Sequence, residues 1–236
     1  MSRSFHELVL TTEAPLTQTK GDALKRLQAI RERFLREYVI RVGEFVVEPL
    51  LVETYYHNPP LFSDGNVHGS DKQKNRFGKL YFHETGRGGV DICLSCGDYY
   101  FSLLIKNSLV TEGDRALGFQ RQTELYDLLK GFRDMDAVVL EKRENANDAI
   151  VFHTVRKGLV KDNAVKSDRL ASVTGFERKD PNGKRYRFDL EKGYTKEYLV
   201  VEYLKAHPGE FSEATFKNAF LDYVPKTIRE TPGLLK

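Results

Sequence analysis

The sequence predicts a mixed α+β fold, with a mixed or antiparallel sheet flanked by helices, on three observations. Short runs of β-branched and aromatic residues recur between Phe45 and Thr154, separated by turn formers. One amphipathic stretch precedes them, and two helical stretches follow near the C-terminus. With 236 residues, 40% apolar and 11% aromatic, the chain has material for a sizeable core.

In chain order, residues 1–19 carry Thr11, Thr12, Thr17 and Thr19 and read as a strand or arm followed by a loop. A helix is expected from Asp22 onward, where Leu24, Leu27, Ile30, Phe34, Leu35 and Tyr38 recur at three- and four-residue spacings. Lys25, Arg26, Arg31, Arg33 and Arg36 then form its basic outer side, either a solvated face or a phosphate-contacting one. Gly43 to Tyr56 is rich in β-formers and interrupted by Pro49, which predicts two short strands or one bulged edge strand ending at Glu53. The stretch from His57 to Arg76 has many turn formers and no period, and a loop of that length tends to be functional.

Lys79 to His83 and Val90 to Ser95 read as a hairpin across the glycine-rich Glu84 to Gly89, and Tyr99 to Lys106 as a third strand. Arg115 to Phe132 carries a helical pattern, and Val138 to Lys142 and Ala149 to Thr154 read as strands across an Asn-rich turn. The most basic stretch, Lys161 to Arg187, is expected to form two short strands around Pro181-Asn182-Gly183, a basic hairpin over Arg178 to Arg187. Helices are expected at Lys196 to Ala206 and at Glu213 to Tyr223, the second capped by Ser212.

A net charge of +3 does not by itself demand a polyanionic partner, so any such reading rests on local clusters. No apolar run is long enough for a membrane span and no signal-like segment is visible at Met1 to Leu10, so a cytoplasmic location is the expectation. Cys93 and Cys96 sit in an apolar strand-like run rather than at a strand-to-helix turn, which argues against redox chemistry. His57, His68, His83 and the two cysteines match no zinc spacing, and neither a metal nor another cofactor is expected.

The candidate chemistry lies around Glu53. A carboxylate at the end of an apolar strand is partly desolvated and suits a general base that activates water, although it can also cap a helix or pair with Arg76. Val52-Glu53-Thr54-Tyr55-Tyr56, a loop with Asp64 and His68, and Asn75-Arg76-Phe77-Gly78-Lys79-Leu80-Tyr81-Phe82 together resemble the alkyladenine (3-methyladenine) DNA glycosylase family. The likeness runs from about Pro49 to Lys106, with traces at Arg156 to Leu159 and Tyr186 to Phe188.

The resemblance implies a single roll-like domain around a curved, mostly antiparallel sheet, assigned to residues 1–194; the helices of residues 195–236, which the resemblance does not cover, are expected to pack on it as a C-terminal appendage. It implies hydrolysis of the N-glycosidic bond of an alkylated purine flipped out of duplex DNA, with Glu53 as the catalytic, water-activating carboxylate. Tyr55 or Tyr56, His68, His83 and Lys106 would bind the base, and Arg76, Arg87, Arg185 and Arg187 would contact DNA. A monomer acting on damaged duplex DNA, nucleoid-associated if it binds DNA, is the expected state. The chain departs from the family where Gly86-Arg87-Gly88-Gly89 replaces an intercalating aromatic and where Tyr55 stands in place of a Glu. A non-catalytic nucleic-acid-binding module on the same fold, and a small-molecule hydrolase or interaction domain, stay open as alternatives.

Overall fold

The computed structural model describes residues 6, 9, 19–84, 88–119, 121–133, 138–147, 150–156, 159, 165, 168–174, 178–179, 185–186, 197–219 and 224–236. Helix α1 (Lys20–Glu37) starts at Thr19, whose hydroxyl accepts from the Asp22 N–H at 3.2 Å. The Asp22 carboxylate accepts in return from the Thr19 N–H at 3.2 Å, a reciprocal cap of the kind that stabilises a helix start by about 1 kcal/mol. The β-branched run after Glu37 takes the chain directly into strand β1 (Tyr38–Val42), and Gly43, at φ 57°, makes the tight turn that follows.

Strands β2 (Phe45–His57) and β5 (Tyr100–Glu112) are 13 residues each and pair antiparallel from Phe45 with Glu112 to His57 with Tyr100. Each flank of this ribbon divides. Beside β2 lie β1, on Phe45 to Val47, and β9 (Ala171–Thr174), on Leu51 to Glu53. Beside β5 lie β4 (Val90–Cys93), on Ser102 to Leu104, and β6 (Arg115–Phe119), on Ser108 to Glu112. Strand β3 (Leu80–Phe82) extends from β4, β7 (Val138–Lys142) from β1, and β8 (Val151–Thr154) from β9. All these pairings are antiparallel, and the sheet curls into a half-barrel. A separate hairpin joins β10 (Arg178–Lys179) to β11 (Arg185–Tyr186).

The ladder register shifts twice between Pro49 and Val52. Pro49 falls between the stretch of β2 held by β1 and the stretch held by β9, so its missing N–H removes no rung on that flank. This makes β2 a central, bulged strand rather than an edge, and Glu53 lies within it rather than closing it.

One sheet face, with Val52, Tyr56, Phe101, Leu103 and Ile105, packs under Leu27, Ile30 and Phe34 of α1. A second cluster forms around Leu51, Phe152 and Val173. Helix α3 (Glu197–Ala206) covers it with Val200 and Leu204, joined by Phe216 of α4 (Glu213–Ala219) and Ile228 of α5 (Lys226–Arg229). The C-terminal segment thus packs on the β8–β9 side of the sheet. Ser212 caps α4 as expected, its hydroxyl accepting from the Thr215 N–H at 3.0 Å, and the expected remainder of that helix, residues 220–223, lies outside the described residues.

Four sequence expectations need correction. Residues 115–119 form a strand, because Gly113 at φ 53° turns the chain back along β5, and the helix, α2 (Gln122–Leu129), starts only at Gln122. Strand β7 pairs with β1, not with β8. His6 and Val9, the two described residues of the N-terminal arm, are helical rather than extended.

Lastly, Arg31 is fully buried rather than on a basic outer face. Its place four residues from both Leu27 and Leu35 puts it on the apolar stripe of α1. The guanidinium donates to Ser172 Oγ at 2.7 Å, Thr54 Oγ1 at 2.8 Å and the Arg169 carbonyl at 2.6 Å. Arg33 and Arg36 are tied to Glu37 and Glu32 one turn away.

Beside Arg31, the His153 ring nitrogen Nδ1 lies 2.8 Å from Ser172 Oγ. Burial, followed by the charges of Arg31, Arg169 and His207, pulls the His153 imidazole down to about 3. Above its ordinary value of 6.5 the ring is neutral in both states and contributes nothing to pH dependence. Below 6.5 the unfolded chain takes up a proton that the folded chain refuses, so stability falls with acid by at most about 1.4 kcal/mol per pH unit. Urea unfolding of the native chain and His153→Gln at pH 7 and pH 4.5 should show the native chain losing about 2 kcal/mol more than the variant, whereas parallel losses would remove His153 from the acid response.

Candidate functional site

Strict alternation along β2 sends Val52, Thr54 and Tyr56 towards α1 and Glu53, Tyr55 and His57 to the opposite face. Across the ladders Glu53 faces Leu104, Leu104 faces Asp91, and Asp91 faces Tyr81; one step along, Tyr55 faces Ser102 and Ser102 faces Cys93. These residues share the face turned away from α1. It carries the polar side chains of Glu53, Tyr55, Asp91 and Ser102, and Asp64, Gln73 and His68 reach it from the loop between β2 and β3.

Glu53 is buried yet polar-lined. Its Oε2 accepts from the Tyr55 hydroxyl at 3.2 Å and lies 3.6 Å from Lys106 Nζ. Burial, and then the Glu53 charge, push the Tyr55 phenol well above its ordinary value, with the nearby Arg156 charge opposing, so Tyr55 stays a donor. The Arg156 guanidinium lies over the Tyr55 ring at 4.5 Å.

Arg156 is itself fully enclosed. Its Nη1 donates to the Thr54 carbonyl at 2.8 Å and sits 2.8 Å from Asp64 Oδ2, a charge contact rather than an aligned hydrogen bond. Its Nε and Nη2 have no hydrogen-bond partner among the described residues. Asp64 Oδ1 accepts from the Asn66 N–H at 3.0 Å, and the Asp64 N–H donates to His57 Nδ1 at 3.2 Å, which fixes the start of the long loop.

The second cluster centres on Asp91. Its Oδ2 accepts from Ser102 Oγ at 2.7 Å and from Gln73 Nε2 at 3.4 Å, and its Oδ1 lies 2.9 Å from His83 Nε2. The His83 ring meets Tyr81 edge-on at 4.9 Å and His68 at 5.4 Å between centroids, and His68 meets Tyr81 at 5.8 Å. Burial alone would depress the His83 imidazole, but the Asp91 charge and hydrogen bond together outweigh it and raise it. Cys93, buried next to Asp91, is held protonated by burial and by that charge, and both cysteines are free thiols.

Of the residues expected at the site, Glu53, Tyr55 and Lys106 converge, and His68 and His83 form one aromatic group with Tyr81. Tyr56 does not belong: it packs into the core against Phe62, Tyr99 and Phe101, as period-2 alternation from Glu53 requires. Arg76 is half-buried near Cys93 rather than paired with Glu53, whose cation is Lys106. Arg87 and Arg187 lie outside the described residues, as does the side chain of Arg185.

Sequence reasoning missed Asp91, although a lone acid inside Val90-Asp91-Ile92-Cys93 was a visible signal. It also missed Ser102 and Gln73, which only the folded ladder and loop bring to Asp91. Among the described residues no group of three His, Cys, Asp or Glu is arranged to hold a metal, and no helix is long and apolar enough to cross a membrane. No family model matches this chain, and no curated protein is significantly similar to it.

The buried Arg156–Asp64 contact makes a thermodynamic prediction. Arg156→Met should cost about 3–5 kcal/mol in urea unfolding, because it strands the Asp64 carboxylate. Adding Asp64→Asn should recover much of that loss, and strictly additive effects in the double variant would mean the two groups are not coupled.

Proposed function

We propose that this face hydrolyses the N-glycosidic bond of an alkylated purine flipped out of duplex DNA. The observation that carries the reading is a shielded carboxylate, Glu53, on the same sheet face as three mutually packed flat rings, His68, Tyr81 and His83. A planar base stacks on such rings, and β2 and β4 are two strand spacings apart, roughly 10 Å, enough for a base and its sugar between Glu53 and the ring wall.

In this reading Tyr55 and Lys106 engage Glu53 at Oε2, and Oε1 accepts the proton of the attacking water. Water oxygen bonds to the sugar's anomeric carbon as the carbon–nitrogen bond breaks, and the electron pair leaves with the base. Lys106 and Tyr55 hold the carboxylate in line. Arg76, half-buried near Cys93 on the same side, supplies a cation for a backbone phosphate.

One observation favours a second reading, hydrolysis of a free purine nucleoside. Arg31 is buried, and Arg33 and Arg36 are engaged by acidic residues of their own helix, which leaves α1 with few cations for a duplex.

Base release from methylated duplex DNA at low salt, compared between the native chain and Glu53→Gln, tests the reading. The variant should be about 100-fold slower or more while retaining DNA to within about three-fold. Undiminished release by Glu53→Gln would remove Glu53 from the reaction, and release from free nucleosides alone would favour the second reading.

A further inference from the structure

Lys106 stands where the sheet forks. On one flank of β5 the pairing with β4 stops at Leu104 and the pairing with β6 starts at Ser108, so no ladder reaches Lys106 from that side. On the other flank Leu51 faces Asn107 and Val52 faces Ile105, which makes Lys106 the extra residue of the second bulge, opposite no residue of β2. A bulge bends its strand and re-aims the side chain it carries.

Here the bulge brings Lys106 to Glu53. Nζ lies 3.6 Å from Glu53 Oε2 and the side chain is 23% exposed, so the amine meets a buried carboxylate on one side and solvent on the other. A lysine that only braces the fold is held more closely: Lys74 sits 2.7 Å from Asp98 and 3.3 Å from Asp71, with the Tyr100 ring beneath it. The Lys106 amine has one charged partner among the described residues, beyond hydrogen-bond distance, while the hydrogen bond to Oε2 comes from Tyr55. Its flexible stem is therefore free to turn the amine towards a ligand beside Glu53.

We propose that Lys106 is a nucleophile towards the abasic sugar left when the base departs, which makes this site an imine-forming lyase as well as a hydrolase. The proposal rests on the N-glycosidic reading above for its substrate. Hydrolysis at the anomeric carbon leaves a hemiacetal whose open form is an aldehyde, the carbonyl class that a lysine amine captures as a Schiff base. Glu53 directs water to that carbon, and Lys106 is the amine beside Glu53.

The step balances. Nζ gives its surplus proton to solvent, and its lone pair bonds to C1′ of the aldehyde. The two hydrogens left on Nζ depart with the aldehyde oxygen as water, and a C1′–N double bond remains. The Glu53 carboxylate then removes one proton from C2′. The electron pair of that bond forms the C2′–C3′ double bond, and the C3′–O bond breaks with its pair going to the 3′ phosphate. Water hydrolyses the imine, which returns Nζ and releases an unsaturated sugar aldehyde on the upstream fragment. Nothing is oxidised or reduced.

Sodium borohydride reduces such an imine to a stable secondary amine, and a duplex oligonucleotide carrying a preformed abasic site bypasses base release. With that duplex and borohydride the native chain should give one cross-linked species, and peptide mass mapping should place the sugar on Lys106. Without borohydride it should cut the strand on the 3′ side of the abasic site. Lys106→Arg keeps a cation beside Glu53 but does not give up a proton to attack, so its cross-link should be lost. A urea midpoint close to the native one reports that the variant is folded, and the mapping on the native chain decides the question without it. No cross-link, or one that maps to another lysine or to the amino terminus, would overturn the lyase. Base release from methylated duplex by the native chain separates the two readings: release without a Lys106 cross-link leaves the hydrolase alone, and a Lys106 cross-link without release leaves the lyase alone.

Discussion

The antiparallel pairing of β2 with β5 is the constraint on which the rest of the molecule depends. Because the side chains of a strand alternate strictly, one continuous ladder from Phe45 to His57 sorts consecutive residues into two different environments. Val52 and Tyr56 enter the core under α1, while Glu53 and Tyr55 enter the polar face. A slip of one residue would bury Glu53 among Leu27, Ile30 and Phe34. The bulge between Pro49 and Val52 protects this register, since it lets the same strand change partners from β1 to β9 just before Glu53.

Buried polar groups then tie the two faces together through a single residue. Thr54 accepts from Arg31 at its hydroxyl and from Arg156 at its carbonyl, so one guanidinium from the helix side and one from the loop side meet across the thickness of the sheet. Neutral hydrogen-bond acceptors hold Arg31, and Asp64 holds Arg156, which binds the long loop to β2. Such groups are costly to desolvate, and their value lies in fixing geometry rather than in adding stability. Tyr55, sandwiched between Arg156 and Glu53, inherits that rigidity.

Much of the fold was legible in the residues. The β-rich run around Glu53, the hairpin from Leu80 to Cys93 and the C-terminal helices all announced themselves by period and by turn formers. The burial of Arg31 was also written in its spacing from Leu27 and Leu35, but a charged side chain was assumed to face water. Leu117 and Phe119 misled because an apolar spacing of two also fits fragments of a helical pattern, and only the turn at Gly113 decides between them. The site was half legible. Glu53 stood out, and strand parity separates Tyr55 from Tyr56. The Asp91–His83 and Arg156–Asp64 contacts were not legible, since the first depends on the register of β3 on β4 and the second on tertiary packing across 92 positions of chain (156 − 64).

The proposed function requires that Glu53, Tyr55, Lys106 and the ring wall receive one purine base between them. Titration of the isotopically labelled chain with free hypoxanthine, followed by NMR, tests it most directly. The account predicts saturable shifts confined to Tyr55, His68, Tyr81, His83 and Lys106, with exposed Leu117 and Val139 on the outer strands unmoved. Shifts scattered over the surface, or none at millimolar base, would contradict it.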